Sequence, residues 1–583
     1  MKTQEARTET MSFDKELGAD GTLAGGSGMT RRSFVGGMGA MMAAAAAMAA
    51  GSKTAFADEA AAETEEESTE ETEHDSFITG MEDTVEEEGT ATTEESTSNV
   101  PTIESVTGWT GTPEDVLALG VSTMPLDDLN QYRQAYIDAQ TDYTKEDGTV
   151  IPAVYVKVRA LIHTYGFGCG DEVSDTCFDD IVAKFTEDDA EAYLEMPRGV
   201  EFTAYDMAAE SGRDVEECSE ICERLAEASY LRAYDTNRGR TYNQVCDVVG
   251  VLEYHLAEYV ENNGEGIYDG PTSTSMVYDL ALTGTPPMYY VPVDASVTNT
   301  GSIRPYDDLK QKALQSNYCA IAPCFCRYYF LAAAYGYDEI PSMEDFLSGE
   351  YEDYFSPLCD QRVETCLMFG DEAQYWVEHG IAREITPEQA ADYIQRSVDD
   401  GFMLESSRSS TTEFVCSCHA DSCGLVQAWL AMGDADTIAS MPAFQQISNY
   451  KLEVDADLCT ACGLCVDRCP LHCISINDEG WAEPDANCFR CGQCAYVCPQ
   501  EARHLVERDE SELAPLASDY MDYNNVAAAY RFETGLITFP DSSDETATEE
   551  TATEEAAAEE TETEETATEE TATEETATEE AAE

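Results

Sequence analysis

Near its C-terminal end the chain twice repeats one spacing of cysteines. The first run is Cys459, Cys462, Cys465 and Cys469 followed by Pro470, and the second is Cys488, Cys491, Cys494 and Cys498 followed by Pro499. Soft thiolates suit iron and sulfide. In a C-x2-C-x2-C-x3-C-P run the fourth thiolate binds the other of two clusters. The predicted ligand sets are therefore Cys459, Cys462, Cys465 and Cys498 for one 4Fe-4S cluster, and Cys488, Cys491, Cys494 and Cys469 for a second. Ala461, Gly463, Gly492 and Ala495 are small enough for the backbone to approach an inorganic core. Structural zinc sites use paired C-x2-C knuckles, with no fourth cysteine and proline in this register.

Between the runs, residues 473–486 alternate apolar side chains around Asp478, Glu479 and Gly480, which predicts a β-hairpin. Residues 450–508 as a whole resemble the bacterial two-cluster ferredoxins. The resemblance implies a β-α-β core, a tight loop carrying the first three thiolates of each run, and a fourth thiolate at the start of a short helix. Cys473, just past the first run, is expected to be a small buried side chain and not a ligand.

Upstream lies a second group: Cys319, Cys324 and Cys326, then Cys359 and Cys366, then Cys416, Cys418 and Cys423 with His419. Between Cys366 and Cys416, the capping-box residues Thr386, Pro387 and Gln389 open an amphipathic helix expected to run to Gly401. Cys-x-Cys pairs are poorly placed to bridge each other and well placed to grip one ion. Cys324, Cys326, Cys359, Cys366, Cys416, Cys418, His419 and Cys423 are thus candidates for a third site, a further iron-sulfur cluster or zinc. Disulfides formed after export, or reduced core thiols, are the alternatives. The order PC-x-CR, CD-x3-E-x-CL-x-FG, G-x-x-REI and a terminal C-G resembles the multi-cysteine 4Fe-4S-binding proteins of anaerobic bacteria that carry a C-terminal ferredoxin domain. That resemblance spans about residues 195–508 and implies cofactor binding more than any reaction. His419 and Ser422 stand where the family has further cysteines.

At the other end, Arg31, Arg32 and Phe34 precede a run rich in Ala, Gly and Met that closes with Ala55, Phe56 and Ala57. This is expected to be a twin-arginine (Tat) signal peptide. That route exports proteins already folded, as a chain loaded with clusters in the cytoplasm would need; the expected destination is periplasmic, cell-surface or extracellular. Gly36, Gly37, Gly39 and Gly51 make the run a poor membrane span, for which about 20 strongly apolar residues are wanted. Residues 58–105 and the TATEE repeats of 541–583 have too little apolar surface to offset the entropy of ordering, and are expected to be disordered. The net charge of −87 opposes binding to nucleic acid or anionic lipid.

Residues 195–260 have the outline of a winged helix: a short helix, Gly212 in the turn, a second helix from Asp214 and a hairpin around Asn237 and Gly239. A DNA reader needs Lys or Arg on that second helix, which instead offers Glu216, Glu217, Glu220, Glu223 and Glu227. Cys218 and Cys222, one turn apart, are expected to pack in the core, and Cys169 and Cys177 are candidates for a disulfide across a loop. There is no Walker loop, HExxH, nucleophile elbow or Rossmann fingerprint, so no nucleotide cofactor is expected.

The sequence thus predicts an α+β chain. A signal peptide (1–57) and an acidic linker (58–105) lead into a helical region (106–300) holding the winged-helix-like segment, then a cysteine-rich helical region (301–445). A two-cluster ferredoxin-like domain (446–510), an extension (511–540) and an acidic tail (541–583) follow. The expected function is exported electron transfer between a redox protein donor and acceptor through two 4Fe-4S clusters. The rival is a multi-centre oxidoreductase whose middle cysteine site binds substrate while the ferredoxin-like domain serves as an internal wire. The surplus of carboxylates is expected to lower the cluster potentials by stabilising the oxidised form. Either a strong reductant, such as a hydrogenase or formate-oxidising partner, then feeds the chain, or burial sets the potentials higher.

Overall fold

The computed structural model describes residues 117–170, 173–255, 279–280, 282–293, 307–336 and 339–540. The expected signal peptide, acidic linker and TATEE tail lie outside the described residues. No helix among the described residues is long and apolar enough to cross a membrane.

The N-terminal part is helical. Helices α1 (Leu126–Asp138), α2 (Ala153–His163) and α3 (Glu187–Glu195) precede α4 (Ala204–Ser211). Gly212 stops α4 in the left-handed conformation at φ 75°, Asp214 caps α5 (Val215–Glu227), and strands β1 (Leu231–Thr236) and β2 (Gly239–Gln244) pair antiparallel. On α5, Cys218, Ile221, Cys222 and Leu225 recur at helical spacing and are buried, while the five glutamates face outward. The two cysteines are therefore core residues, as expected. The glutamates pair with arginines of the same unit, Glu217 with Arg213 at 2.9 Å and Glu223 with Arg240 at 3.1 Å.

The expectation of a helical middle is corrected: the region is built on a sheet, whose strands carry Cys319, Cys366, Cys416 and Cys418. Strands β3 (Met288–Val291), β4 (Cys319–Pro323), β5 (Glu364–Phe369), β6 (Arg383–Ile385), β7 (Met403–Ser407) and β8 (Phe414–Cys418) form an antiparallel sheet in the order β6-β4-β5-β8-β7-β3. The physical reason lies in short apolar runs such as Cys319–Pro323, too brief for a helix and ended by proline, and in the period-2 alternation of Cys416 and Cys418. Helices α6 (Phe325–Tyr335) and α7 (Pro387–Asp400) connect the strands. The Thr386–Gln389 capping box and left-handed Gly401 bound α7 as the sequence predicts. Register fixes which side chains share a face. Phe414 opposes Met368 and Glu405 opposes Cys416, so Cys366, Cys416, Cys418 and Glu405 point to one side. Leu367, Leu404 and Val415 point to the other, into a core with Ile394 and Val398 of α7.

After helix α8 (Gly424–Leu430) comes a compact unit. Its strand β9 (Tyr450–Val454) leads to α9 (Leu464–Arg468) and β10 (Ile474–Ile476), and then β11 (Ala482–Pro484) leads to α10 (Gln493–Tyr496) and β12 (Arg503–Glu507). β9 pairs with β12, and β10 with β11 across the expected hairpin, where Gly480 has φ 85°. This unit is packed onto the sheet and not tethered to it. Gln493 is fully buried and donates to the carbonyls of Val398 and Phe402, and Phe489 packs at a tilt on Tyr290 and edge-to-face on Phe444 in a shared core. The last helix, α11 (Tyr520–Glu533), returns to the N-terminal part, where Arg531 donates to the His163 carbonyl at 2.7 Å.

Candidate iron-sulfur centres

The two cysteine runs fold around two separate small cavities. Cys459, Cys462, Cys465 and Cys498 line the first, with Ala482 and Arg503. Cys469, Cys488, Cys491 and Cys494 line the second, with Cys473 and Arg490. Each run therefore sends its fourth cysteine to the other run's cavity. The expectation that this fourth cysteine begins a helix is corrected. Cys469 follows the last residue of α9, and Cys498 lies beyond the end of α10, because a residue before proline is driven out of the helical region.

The loops owe their shape to left-handed residues. Ala461 and Arg490, each two residues after the first cysteine of its run, have φ of 50° and 59°. Gly463 and Gly492, at the helix starts, have 82° and 87°. This conformation costs a residue with a Cβ roughly 1 kcal/mol, and here it curls the chain around the cavity. Backbone amides then reach the sulfurs: Ala482 N–H donates to Cys459 Sγ and Ala502 N–H to Cys498 Sγ, each at 3.4 Å. The first of these holds the Cys459 thiol below its usual pKa. Burial raises Cys494 to about 12, whereas the thiol of Cys473 donates to Cys469 and draws it down to about 6. Cys473 is buried, as expected, and its sulfur lies 3.6 Å from that of Cys469.

The residues present fit a metal-sulfide core better than single zinc ions. A tetrahedral zinc at about 2.3 Å from each sulfur holds four thiolates about 3.8 Å apart. Among the described residues, the donors that close to within 4.8 Å of one another are Glu405, Cys418 and Cys423, not any four cysteines of the two runs. Each cavity also has an arginine. Burial alone would lower the pKa of Arg503, but the thiols of Cys494, Cys465 and Cys459 outweigh it and raise it, and its Nη1 finds no hydrogen-bond acceptor. Arg490 is half-buried, with its guanidinium 5.5 Å from the Phe444 ring centre. Neither arginine was singled out by the cysteine spacing, which carries no information on what flanks it.

In the middle region, six of the eight candidates come together. Cys324 and Cys326 stand where β4 gives way to α6, Cys366 is on β5, Cys416 and Cys418 are on β8, and Cys423 caps α8. Each thiol shifts the protonation of the next in the cyclic order Cys324, Cys326, Cys423, Cys418, Cys416, Cys366 and back to Cys324, so the six are neighbours. The other two candidates are not part of this ring. Cys359 is held by Ser356. His419 faces Asp421 at 3.4 Å and the His472 ring at 6.0 Å, and burial lowers its pKa to about 4. Glu405, which the sequence did not flag, accepts from Cys418 Sγ at 3.1 Å, and burial pushes its carboxyl well up. The suggested Cys169–Cys177 disulfide is not formed: both cysteines are buried, with Cys169 Sγ 3.7 Å from His163 Nδ1 and Cys177 Sγ 3.3 Å from Ser174 Oγ.

Comparison with known proteins agrees with this geometry at its C-terminal end. Residues 452–475 match the 4Fe-4S binding domain family. A probable ferredoxin from Methanosarcina thermophila is 58% identical over 33 residues, which is 6% of this chain and 57% of the relative. The chain thus spans little more than half the length of that relative. No solved structure matches the chain. The match supports an iron-sulfur binding protein that carries a 4Fe-4S domain near its C-terminal end.

Proposed function

We propose that this chain is an exported electron carrier that holds two 4Fe-4S clusters in residues 446–510 and passes single electrons between a redox protein donor and acceptor. The observation that carries this reading is the crossed grouping of the eight cysteines, four around each of two cavities. Cys459, Cys462, Cys465 and Cys498 would hold one cluster, and Cys488, Cys491, Cys494 and Cys469 the other. When bound, such clusters supply reversible one-electron transfer at potentials set by hydrogen bonds, burial and nearby charge. The chain's own contribution is to fix the thiols on left-handed loops, donate amides to Cys459 and Cys498, and place Arg503 and Arg490 against them. Cys462 is exposed, which gives a partner an edge to approach.

The rival reading needs a substrate site beside the redox centres. Two large cavities elsewhere, one bounded by Arg232, Glu372 and Asp522 and one by Lys157, Glu191 and Arg198, are lined by no cysteine, which favours the carrier. Export follows from the twin arginine at Arg31 and Arg32 and from the need to load clusters before secretion. The helix, turn, helix and hairpin of residues 204–244 we read as a winged-helix-like module used for packing, since its second helix is ringed with glutamates. Film voltammetry on the anaerobically purified full chain tests the carrier: two reversible one-electron waves are expected, and a featureless response would overturn it. Replacing Arg31 and Arg32 by lysine is expected to leave the protein in the cytoplasm.

A further inference from the structure

We propose that Cys324, Cys326, Cys366, Cys416, Cys418 and Cys423 hold a third, polynuclear iron-sulfur centre beside the second ferredoxin-type cavity. Four observations meet there. First, the topology assembles the set from four pieces of chain: the junction of β4 with α6, one face of the neighbouring strands β5 and β8, and the start of α8. A Cβ added at Gly424 would stand 3.6 Å from Cys326 Sγ, an ordinary contact distance that places the start of α8 beside that thiol.

Second, the six thiols are more numerous and more widely spread than one ion requires. Cys418 and Cys423 are buried, and Cys324, Cys326, Cys366 and Cys416 are half-buried. Among the described residues, no four of the six sulfurs close to within 4.8 Å of one another. Glu405, Cys418 and Cys423 do converge, as three ligands of one ion would, but that leaves Cys324, Cys326, Cys366 and Cys416 outside the set, whereas a multi-atom core holds its thiolates further apart and takes in all six. Six thiols also exceed the four that one zinc site uses.

Third, a buried cation stands beside the ring with no carboxylate. Arg327 is 2% exposed, and its guanidinium donates to the carbonyls of Arg362 and Ser417 and to the hydroxyls of Thr365 and Ser422. All four partners are neutral, and among the described residues no acidic group pairs with it. Burial would lower its pKa, and the neighbours that raise it are cysteines: Cys324, Cys418, Cys359 and Cys366. An uncompensated buried charge is costly, and a thiolate-ligated cluster of net negative charge supplies the compensation.

Fourth, the ring adjoins the second ferredoxin-type cavity. Cys418 and Cys423 share a core with Cys469, Cys473 and Cys491. Ala420, two residues after Cys418, donates its N–H to the Pro470 carbonyl at 3.1 Å, one residue from Cys469. One hydrogen bond and a few covalent bonds therefore join the two sets. The site stands without the two-cluster reading, whereas its role as an electron relay rests on it.

The test is metal and acid-labile sulfide analysis of the anaerobically purified full chain, beside the ring variant Cys366→Ala with Cys416→Ala and the ferredoxin variant Cys459→Ala with Cys491→Ala. The wild type is expected to hold more iron than the about eight atoms two cubanes account for, with matching sulfide. The ring variant should lose that excess and keep the rest, and the ferredoxin variant should do the reverse. Iron at about eight with no further metal, zinc as the excess metal, or excess iron surviving in the ring variant would each overturn the proposal. If the two-cluster reading fails instead, only the ring variant loses iron. Should the ring variant not fold, the wild-type iron, zinc and sulfide counts decide alone.

Discussion

Replacing Arg503 by leucine removes a cation from beside both ferredoxin-type thiol sets. Arg503 is 3% exposed, lines the first cavity and stands in the field of Cys494, Cys465 and Cys459. A cluster that gains an electron becomes more negative, so a neighbouring positive charge favours the reduced form and raises the potential. At about 6 Å and an effective dielectric of about 20, one unit charge contributes about 2.8 kcal/mol. For a one-electron couple that is about 120 mV, since 59 mV is tenfold. Relaxation of nearby dipoles and water reduces the effect, and a fall of roughly 50–120 mV is expected. Film voltammetry on wild type and Arg503→Leu, at one pH and salt and with equal iron content, reads it directly. Arg503→Lys should keep most of the wild-type potential. A potential unchanged within about 15 mV in the leucine variant, or one that rises, would refute the reasoning that this arginine offsets the chain's acidity.

Cys469→Ala should abolish iron binding in the set formed by Cys488, Cys491 and Cys494 and spare the set that contains Cys465, the cysteine of its own run; iron analysis with partial proteolysis around the two loops would show the reverse if the crossing were wrong. His472 pairs with Asp421 at 3.6 Å where the two units meet, and this partner raises the histidine above 6.5 while the same contact lowers Asp421. The pair therefore contributes fully between the ordinary Asp and His values, is lost as pH rises through the raised His472 value, and is lost again as pH falls through the lowered Asp421 value. An NMR titration should place the His472 midpoint above 6.5 in wild type and lower it in Asp421→Asn. Gly284→Ala would bring a Cβ to 2.3 Å from Gly120 Cα. Such overpacking against backbone costs about 1–3 kcal/mol, and the thermal midpoint should drop by several degrees.

The parts of this protein that read directly from sequence are those where local chemistry dictates the outcome. The capping box at Thr386, the left-handed stop at Gly401, the hairpin at Gly480 and the stripe of Cys218, Ile221, Cys222 and Leu225 each follow from a few adjacent residues. The eight cysteines near the C-terminus are legible for the same reason, because their spacing alone constrains the loops. What the sequence did not disclose depends on long-range register. Cys416 and Cys418 were read as a pair gripping one ion, but on β8 their alternation places both on one face beside Cys366 and Glu405 of neighbouring strands. Cys359 sits near the ring in sequence yet turns to Ser356, and His419 turns to Asp421. Arg327, Arg490 and Arg503 act through burial beside thiols, which no local pattern encodes.

Electron paramagnetic resonance of the dithionite-reduced full chain, with spin integration, bears most directly on the central claim. If the eight cysteines of residues 459–498 hold two cubanes, the ferredoxin-type signal should integrate to about two mutually broadened spins per chain, and the Cys459→Ala with Cys491→Ala variant should lose both. A silent spectrum from iron-free protein, with those thiols recovered as disulfides, would contradict it.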